Sequence, residues 1–499
     1  MTILFSNHTI KYEVESTIKL FIPAKRFNFL YDERNCDGDM VMTRVKKGKS
    51  FTYLYAYVRI GDKIKRMAYH ISNEKVKTEK DLCEYNLCKI VYFCLSEVTG
   101  ITPKWGMLTG IRPVKKITDL IEKGLSKTEV FAVLKDRFLV SNEKLELAYE
   151  IAKIQIPLIN TNDCKTVSLY VSIPFCPTRC SYCSFVSHSI EIAKKLIPDY
   201  IKYLCIELGQ LGSFVRELGL KIDTIYIGGG TPTSIEAGDL QKVMECLSRN
   251  FDISAVREYN VEAGRADTIT FEKLKVIKEM GATRISVNPQ TLNDDVLKVI
   301  GRNHTAKQTV DAYIMAKELG FDNINMDLIA GLPTETVESF KSTLDKVISL
   351  DPESVTIHTL TLKRSSSLYS EGENHVGNPV SQMLEYGLKA LTDNGYNPYY
   401  LYRQKNTVEN LENTGYAKSG KESLYNIFIM DETQTVLGAG CSASTKLIYP
   451  NGGLMRVHNY KFPYEYINRF DELMNKKATE SKDWRESLLQ YEEGNYGYI

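Results

Sequence analysis

Apolar and polar residues alternate near the N-terminus in a pattern typical of β-strands. The pattern occurs in STIKLFIPA and in SFTYLYAYVRIGDKIKRMAYHIS, where Gly61-Asp62 separates two runs and predicts a β-hairpin. Helical periodicity follows in EKDLCEYNLCKIVYFCLSEVTG, which ends at Gly100. SKTEVFAVLKDRF begins at Ser126, three residues before Glu129, as in a capping box. The pattern predicts an accessory α/β domain with a helical linker over residues 1–160.

The pattern changes at about Val167 into repeated short apolar runs, most of them followed by helical periodicity. The runs are VSLYVSI, DTIYIGG, EYNVEAG, ATRISVN, NINMDLI and SVTIHTL. Strand–helix repeats of this kind predict parallel strands, so residues 161–375 are expected to form a partial parallel (β/α)6-type barrel. Residues 376–499 are expected to form a C-terminal extension. Catalytic groups of such barrels gather at the C-terminal ends of the strands.

Composition adds limits to this picture. The chain has 499 residues, 43% of them hydrophobic and 25% charged, which is ordinary for a soluble protein of two or three domains. The 63 basic and 62 acidic residues argue against wholesale nucleic-acid binding. The start MTILFSNHTIKYEVEST lacks the apolar region of a secretory signal, and no apolar run reaches membrane-spanning length. A cytoplasmic protein with no membrane span is expected.

Three cysteines stand close together in CPTRCSYCSF, at Cys176, Cys180 and Cys183. A structural zinc site would need further ligands at matching spacing, and the next cysteines, Cys205 and Cys246, stand alone. Disulfides are disfavoured in a reducing compartment. Crowded thiolates suit an iron–sulfur cluster, which usually takes four cysteines. Three would leave one iron open to a ligand from outside.

Polar and glycine residues follow several of the predicted strands. GGGTPT, from Gly228 to Thr233, follows DTIYI, and consecutive glycines allow a close backbone approach to a ligand, although a tight strand–helix connection explains such a run equally well. Further polar residues lie at or just after strand ends: Glu262, Gln290, Arg302 and Asp327. In a barrel these side chains would face one mouth, which is the layout of a cofactor site.

These motifs together resemble a known family. YVSIPF before C-x3-C-x2-C, then GGGTPT, VEAG, NPQTLN and DLIAGLP, are similar to the radical S-adenosylmethionine (SAM) enzymes of the oxygen-independent coproporphyrinogen III oxidase group. The resemblance runs from about residue 165 to 470. KWGMLTGIRPVKK and YRQKNTVENLENTGYAK extend it to the HemZ-type branch, which has an additional N-terminal domain.

The resemblance implies a set of site residues. Cys176, Cys180 and Cys183 would hold a [4Fe–4S] cluster, whose open iron would bind SAM in place of a fourth cysteine. Reductive cleavage of SAM would then give a 5′-deoxyadenosyl radical that abstracts hydrogen from the substrate. The residues that match contacts to this SAM are Tyr170, Tyr182, Gly229 and Glu262. The residues that match contacts to a second SAM are Gly230, Thr231, Gln290, Arg302 and Asp327. No catalytic residue is assigned beyond the cluster and the cofactor.

The implied reaction is the oxidative decarboxylation of coproporphyrinogen III to protoporphyrinogen IX. It would involve one or two SAM molecules, a tetrapyrrole substrate, and an electron donor such as flavodoxin or ferredoxin. Phe185 stands where decarboxylating members have another cysteine, and heme-chaperone relatives also have phenylalanine there. Two alternatives therefore stay open. One is a heme-binding chaperone with little turnover, and the other is a radical methyltransferase or another radical reaction on a tetrapyrrole-like substrate.

NPYYLYRQKN is a candidate substrate segment, because a tetrapyrrole with carboxylates needs aromatic walls and cations. It contains Tyr399, Tyr400, Tyr402, Arg403 and Lys405. An exposed edge strand with ordinary charges explains the same pattern equally well. The glycines of VLGAGCSAS are candidates for close approach to the cofactor, and His358 in TIHTL is expected to be structural.

Overall fold

The computed structural model describes residues 1–22, 27–31, 38–79, 81–110, 112–183, 188–361, 366, 379–405 and 407–492. The chain forms two units, one of Met1–Tyr149 with Arg403–Glu412, the other of Glu150–Tyr402 with Asn413–Ile499. The segment Arg403–Glu412, although late in the chain, thus belongs to the N-terminal unit. The sequence pattern does not indicate this. The predicted borders after residues 160 and 375 stay predictions.

The N-terminal unit packs helices on one face of a β-sheet. Its elements are β1 Thr2–Ser6, α1 Lys11–Lys19, β2 Asn28–Leu30, β3 Met40–Lys47, β4 Phe51–Ile60, β5 Lys63–Ser72, α2 Asn73–Thr78, α3 Leu82–Thr99, α4 Pro113–Glu122, α5 Lys127–Phe138 and the start of α6 Asn142–Ile159. The sheet order is β2–β1–β3–β4–β5. Alternate strand residues join the apolar faces of α1 and α3 in one core, so this region is the predicted α/β domain.

Several local predictions for this unit are confirmed. The hairpin β4–β5 turns at Gly61-Asp62. Helix α3 ends at Gly100, whose φ of 73° is the left-handed conformation that glycine adopts at low cost. Ser126 and Glu129 make both hydrogen bonds of the capping box at the start of α5. Local turn and cap chemistry was therefore enough to fix these element ends.

The predicted strand STIKLFIPA is wrong, because its first residues belong to helix α1. Val14, Thr17 and Ile18 are buried on α1 at a spacing of three and four residues, the period of a helix face. The short alternation in TIKLF is compatible with both periods, and packing against α3 decides for the helix. Residues 23–26 lie outside the described residues.

The second unit is built on a large sheet flanked by helices. From residue 166 the elements are β6 Thr166–Ile173, β7 Phe175–Cys176, β8 His188–Ser189, α7 Ile190–Ala193, α8 Ile197–Glu217, β9 Lys221–Gly229, α9 Ala237–Asn250, β10 Glu258–Gly264, α10 Phe271–Glu279, β11 Arg284–Val287, α11 Asp294–Val299, α12 Ala306–Glu318, β12 Ile324–Ala330, α13 Val337–Leu350 and β13 Ser354–Thr359. The C-terminal elements are α14 Val380–Asp393, β14 Asn397–Arg403, β15 Glu412–Ala417, α15 Leu424–Asp431, β16 Thr435–Ala439, β17 Ser444–Ile448, β18 Leu454–His458, α16 Pro463–Asn468, α17 Phe470–Glu480 and α18 Lys482–Glu492.

The six predicted core strands are neighbours in the order β6–β9–β10–β11–β12–β13, and each pair is parallel. Strand β16 adds a further parallel strand beside β6, and β15 pairs antiparallel with β13. Parallel neighbours require crossover connections, which the intervening helices provide. The predicted partial (β/α)6 barrel with a C-terminal extension is confirmed.

The core strands are polar on one face and apolar on the other. Tyr170 on β6 is in register with Tyr226 on β9, and Tyr226 with Asn260 on β10. The residues between them, such as Leu169 and Ile225, are fully buried and apolar. Because successive side chains of a strand point to opposite faces, one face of this sheet packs on helices and the other forms a polar interior.

One end of the polar interior is closed by hydrogen bonds within the protein. Glu258, at the start of β10, accepts hydrogen bonds from Ser423 Oγ at 2.9 Å and from Leu424 N at 2.8 Å, and so caps α15. Buried Arg284, at the start of β11, donates to Ser354 Oγ at 2.6 Å and to the Lys421 carbonyl at 2.8 Å. We call Glu258, Arg284 and Ser423 the floor of the barrel.

Buried Glu207 on α8 anchors the C-terminal elements. It accepts hydrogen bonds from Lys477 Nζ at 2.6 Å, Tyr466 Oη at 2.6 Å and Gly440 N at 2.7 Å. A Cβ at Gly440 would lie 2.6 Å from Tyr200 Oη, and its φ is 88°. Packing on Tyr200 thus gives Gly440 a structural reason to be glycine, and approach of the VLGAGCSAS glycines to a cofactor stays a prediction.

Candidate functional site

The three motif cysteines lie on one loop that begins at β7. Cys176 ends β7, and Cys183 N donates to the Cys180 carbonyl at 3.1 Å, which fixes the turn between them. Within the described residues, no three Cys, His, Asp or Glu side chains are arranged to share one metal ion. Each thiolate of a [4Fe–4S] cluster binds a different iron, so a cluster site needs no such convergence. Phe185 lies outside the described residues.

Arg265 is a buried cation beside this loop. Its Nη1 donates to the Thr178 carbonyl at 3.1 Å and lies 3.8 Å from Cys180 Sγ. Its Nε and Nη2 hold both oxygens of Asp267, at 3.0 and 2.7 Å. Although burial acts against ionisation, hydrogen bonds from His304 and Arg265 hold the pKa of Asp267 well below its usual range. Arg265 therefore places a positive charge directly beside the cysteine loop. Sequence reasoning missed Arg265.

The glycine run packs against the cysteine loop itself. A Cβ at Gly230 would lie 2.6 Å from the Phe175 carbonyl and 2.9 Å from Cys176 Sγ, and Gly229 has a φ of 112°. Thr231 N donates to the Phe175 carbonyl at 2.8 Å, and Thr231 Oγ1 lies 3.5 Å from Cys176 Sγ. Because its glycines lack side chains, the run can pack directly against the cysteine loop, in addition to any contact with a ligand.

Three stacked tyrosines fill the middle of the polar interior. The ring centroids of Tyr226 and Tyr425 are 4.4 Å apart, and Tyr170 lies 6.1 Å from Tyr226 and 6.4 Å from Tyr425. The Tyr226 hydroxyl donates a hydrogen bond to Glu262. Stacking fixes the Tyr226 ring, so this hydroxyl positions the Glu262 carboxylate. Tyr226 and Tyr425 were not predicted, although the spacing of Tyr226 and Gly228 on one strand face could have indicated the first.

Glu262 and Asp327 differ in their proton affinity. Burial, with the nearby charge of Asp327, raises the pKa of Glu262 to about 7, although the Tyr226 hydrogen bond opposes this. The pKa of Asp327 is lowered in spite of burial, because His358 and Asn325 stabilise its charge. His358 Nε2 lies 3.7 Å from Asp327, and Asn325 Nδ2 donates to it at 2.7 Å. Such a pair can hold one charged and one protonatable carboxyl near neutral pH.

Gln290 and Arg302 are held by backbone contacts at the ends of β11 and β12. Gln290 has a φ of 66°, and its N donates to the Asp327 carbonyl at 2.8 Å. Arg302 donates to the Asn288 carbonyl at 2.7 Å and to Tyr182 Oη at 3.1 Å. We call Glu262, Gln290, Arg302 and Asp327 the mouth of the barrel.

Several buried polar atoms in this region have no hydrogen-bond partner in the protein. They are Asn260 Oδ1, Asn288 Oδ1, Gln290 Oε1 and Arg302 Nε. A buried polar atom without a partner costs about 1–3 kcal/mol, so native proteins rarely keep one without a ligand or water to complete it. This set offers acceptors and a donor next to the cysteine loop, which fits a zwitterionic ligand such as SAM. Asn260 and Asn288 were not predicted.

The predicted site residues thus lie in two neighbouring groups. Around the cysteine loop stand Cys176, Cys180, Cys183, Gly229, Gly230 and Thr231. Tyr182 also lies on this loop, between Cys180 and Cys183. Tyr170, Glu262 and Asp327 lie within β6, β10 and β12, whereas Gln290 and Arg302 follow β11 and α11. Asp327 was predicted at a strand end but lies three residues before the end of β12. Tyr182 and Arg302, which the resemblance assigns to different SAM molecules, share a hydrogen bond. Their roles toward a cofactor stay predictions.

The candidate substrate segment is mostly buried. Tyr399 and Tyr400 are 0% and 4% exposed and join an apolar cluster. Their strand β14 is an edge strand of the large sheet, as one alternative predicts, but these two side chains are not exposed. A role toward the substrate stays a prediction. Tyr402 Oη lies 3.3 Å from His358 Nδ1, so His358 links Asp327 to Tyr402. Arg403 and Lys405 belong to the N-terminal unit.

The two branch motifs meet inside the N-terminal unit. Trp105 Nε1 donates to Glu412 at 2.8 Å, and Lys144 Nζ donates to the same carboxylate at 2.7 Å. The Arg403 guanidinium lies 5.5 Å from the Trp105 ring centroid, and burial lowers the pKa of Arg403 to about 10. Trp105 and Glu412 therefore complete one another's hydrogen bonds in a buried cluster, which gives the two motifs a structural reason to occur together.

Comparison with known proteins identifies the family. Residues 170–347 match the family model described as the radical SAM superfamily. The HemZ protein of Bacillus subtilis, an oxygen-independent coproporphyrinogen-III oxidase-like protein, is 42% identical over 412 residues, which cover 80% of this chain and 82% of HemZ. The heme chaperone HemW of Lactococcus lactis is 33% identical, over 63% of this chain and 79% of HemW.

A solved structure supports the fold. Coproporphyrinogen III oxidase (HemN) from Escherichia coli, a radical SAM enzyme, superposes with a TM-score of 0.51 at 23% identity, over 64% of this chain and 72% of HemN. The chain is thus of the radical SAM class, for which a [4Fe–4S] cluster and SAM are implied. It belongs to the family of oxygen-independent coproporphyrinogen-III oxidase-like proteins that includes HemZ.

None of the helices in the described ranges combines the length and hydrophobicity needed to cross a bilayer.

Proposed function

We propose that the protein oxidatively decarboxylates two propionate groups of coproporphyrinogen III, giving protoporphyrinogen IX. The observation that carries the proposal is the set of buried atoms without partners at Asn288, Gln290 and Arg302, beside the loop of the three cysteines. A protein that bound its ligand at a different place would have little reason to retain the free-energy cost of these unpaired buried atoms. The tetrapyrrole substrate is inferred from similarity to HemZ.

In this proposal Cys176, Cys180 and Cys183 hold the cluster. When bound, the cluster supplies the electron that cleaves SAM and so makes hydrogen abstraction from the substrate possible. Arg265 holds the cysteine loop through the Thr178 carbonyl, and Tyr226 holds Glu262 toward the ligand. Gln290 and Arg302 complete the hydrogen bonds of a SAM molecule, and Asp327, kept ionised by His358, accepts from its hydroxyl or ammonium groups. The number of SAM molecules bound, one or two, is to be determined together with the turnover assay described next.

The test is an anaerobic turnover with reconstituted, reduced protein, SAM, coproporphyrinogen III and an electron acceptor. We expect protoporphyrinogen IX, with one carboxylate lost for each deoxyadenosine formed. A donor such as flavodoxin or ferredoxin is expected to replace a chemical reductant. Deoxyadenosine that forms independently of the substrate, with no vinyl product, would contradict the proposal.

A heme chaperone is the second candidate, because the HemW relatives reach 33% identity. It would bind heme stoichiometrically and cleave SAM slowly, without dependence on coproporphyrinogen. Titration with heme, in parallel with the turnover assay, distinguishes the two. A methylated product would instead indicate a radical methyltransferase.

A further inference from the structure

Two cysteines of the outer helical layer face each other. Cys205 lies on α8 and Cys246 on α9, and both are distant from the cysteine loop in sequence. The Cys246 thiol donates to the Cys205 carbonyl at 3.4 Å, and the Cys205 thiol donates to the Lys242 carbonyl at 4.0 Å. The two thiols are close enough to influence each other's ionisation. Sequence spacing gave no sign of this pair, since the two positions are separated by a strand.

The two helices are held unusually close at this point. On α8, Cys205 is followed by Gly209 and Gly212, at spacings of four and seven residues, so all three lie on one helix face. A Cβ at Gly212 would lie 2.8 Å from the Cβ of Asn250 on α9. Because glycine allows this approach, the backbones that carry the thiols are brought together, which is the main geometric requirement of a disulfide.

Polar contacts orient the Cys246 sulfur. Asn250 Nδ2 donates to Cys246 Sγ at 3.4 Å and to the Cys246 carbonyl at 2.8 Å, and the Asn250 carbonyl accepts from Arg216 at 3.0 Å. The Cys205 thiol and the charge of Arg249 also stabilise a thiolate at Cys246, so the pKa of Cys246 is lowered although burial opposes this. A thiolate with a second thiol beside it is the arrangement of a redox-responsive pair.

We propose that Cys205 and Cys246 are an oxidant-responsive dithiol that forms a reversible disulfide between α8 and α9. With a hydroperoxide ROOH, the Cys246 thiolate attacks one peroxide oxygen, which gives a sulfenic acid and releases ROH after protonation. The Cys205 thiol then attacks the sulfenic sulfur, the S–S bond forms, and water leaves. In total, two thiols and ROOH give one disulfide, ROH and H₂O, and a dithiol reductant reverses the change.

The disulfide would enclose the part of the barrel that supports the cysteine loop. Positions 205 and 246 are 41 residues apart, and the segment between them contains β9 and the glycine run, whose Gly230 packs on Cys176. A cross-link limits the unfolded states of the loop that it closes. Oxidation is therefore expected to stabilise this segment against local opening.

The test uses the full-length protein with its cluster reconstituted anaerobically, so that the other motif thiols are ligated. It is treated with one equivalent of tert-butyl hydroperoxide, then with N-ethylmaleimide, and digested without reductant. We expect a peptide that links Cys205 to Cys246, which dithiothreitol separates. The rate of its formation should rise with pH and level off below the pKa of an ordinary free thiol.

Cys83 is the internal control, because it is a half-buried helix cysteine whose pKa is raised by burial. It should stay labelled by N-ethylmaleimide while the pair is oxidised. Cys205→Ser should give no linked peptide and leave a sulfenic acid at Cys246 that dimedone traps. The proposal is overturned if both thiols of the wild type stay labelled under excess hydroperoxide, or if Cys83 is oxidised at the same rate as the pair.

Discussion

The floor and the mouth of the barrel contain the same kinds of buried polar residue but satisfy them differently. Glu258 and Glu262 are four residues apart on the same strand, β10. At the floor, Glu258 accepts from a hydroxyl and from backbone N–H groups of α15, and Arg284 donates to a hydroxyl and a carbonyl. At the mouth, Gln290 and Arg302 each keep a buried atom without a partner.

The difference teaches how to separate structural polarity from functional polarity. Polar groups that the protein itself satisfies fix the position of an element, here the start of α15. Polar groups that are buried and incomplete lower stability unless a ligand completes them. The floor is therefore expected to determine stability, and the mouth to determine binding.

The largest expected effect is on the cysteine loop beside the mouth. Cys180→Ser should abolish the iron–sulfur absorbance and SAM cleavage, because a hydroxyl does not replace a thiolate as an iron ligand. Iron and sulfide analysis after anaerobic reconstitution measures the loss. Cys83→Ser, on α3 of the N-terminal unit, is the matched control and should bind about four irons, as the wild type does. A full iron content in Cys180→Ser would exclude this loop as the cluster site.

The next effect concerns the floor. Arg284→Met should lower the free energy of unfolding by about 3–5 kcal/mol, since it leaves buried acceptors and the Glu258 carboxyl without their compensating charge. Urea unfolding of the cluster-free protein measures this. SAM affinity, measured on the fraction that stays folded, should change little. A loss of SAM affinity larger than the loss of stability would show that floor and mouth are not separate.

Much of the fold was predictable because it depends on local pattern. The six core strands, the hairpin at Gly61 and the Ser126 cap follow from period, glycine placement and capping chemistry. The predicted strand STIKLFIPA was wrong, because the five alternating residues TIKLF do not distinguish a strand from one face of a helix. Burial by distant segments decided that case, as it did for Tyr399 and Tyr400.

The site was predictable in part for the same reason. Residues on the core strands, such as Glu262 and Asp327, are placed by strand order and side-chain alternation. Arg265, Tyr425 and the Cys205–Cys246 pair depend on contacts between segments far apart in the chain, which spacing does not encode. Gln290 shows the limit clearly, because its left-handed backbone follows from pairing with β12 and not from its own sequence.

A smaller effect is expected for Gln290→Gly. Glycine adopts the φ of 66° without strain and removes the Oε1 atom that has no partner. The free energy of unfolding should stay within about 1 kcal/mol of the wild type, because relief of strain offsets the greater freedom of the unfolded chain. SAM affinity should fall about tenfold, the worth of one hydrogen bond. Calorimetric titration and urea unfolding measure the two quantities, and unchanged affinity would exclude Gln290 as a SAM contact.

The smallest effect is a pH dependence at Glu262. Its pKa is raised from 4.5 to about 7 in the folded protein, so the folded state binds the proton more tightly than the unfolded state. Stability is therefore highest below the unfolded pKa and is lost as the pH rises through about 7.

Glu262→Gln cannot ionise and should lack this loss. At about pH 8 the cluster-free variant should be more stable than the wild type by on the order of 1 kcal/mol, because solvent screening at a half-buried group reduces the full value of the shift. The same variant should bind SAM more weakly. Its neutral amide accepts weaker hydrogen bonds from ammonium or hydroxyl donors than the charged carboxylate does. Thermal unfolding of both proteins at pH 5 and pH 8 measures the difference, and Glu262→Asp serves as the control that keeps the charge. If Glu262→Gln is less stable than the wild type at both pH values, Glu262 is satisfied by the protein as Glu258 is, and the distinction between mouth and floor fails at this residue.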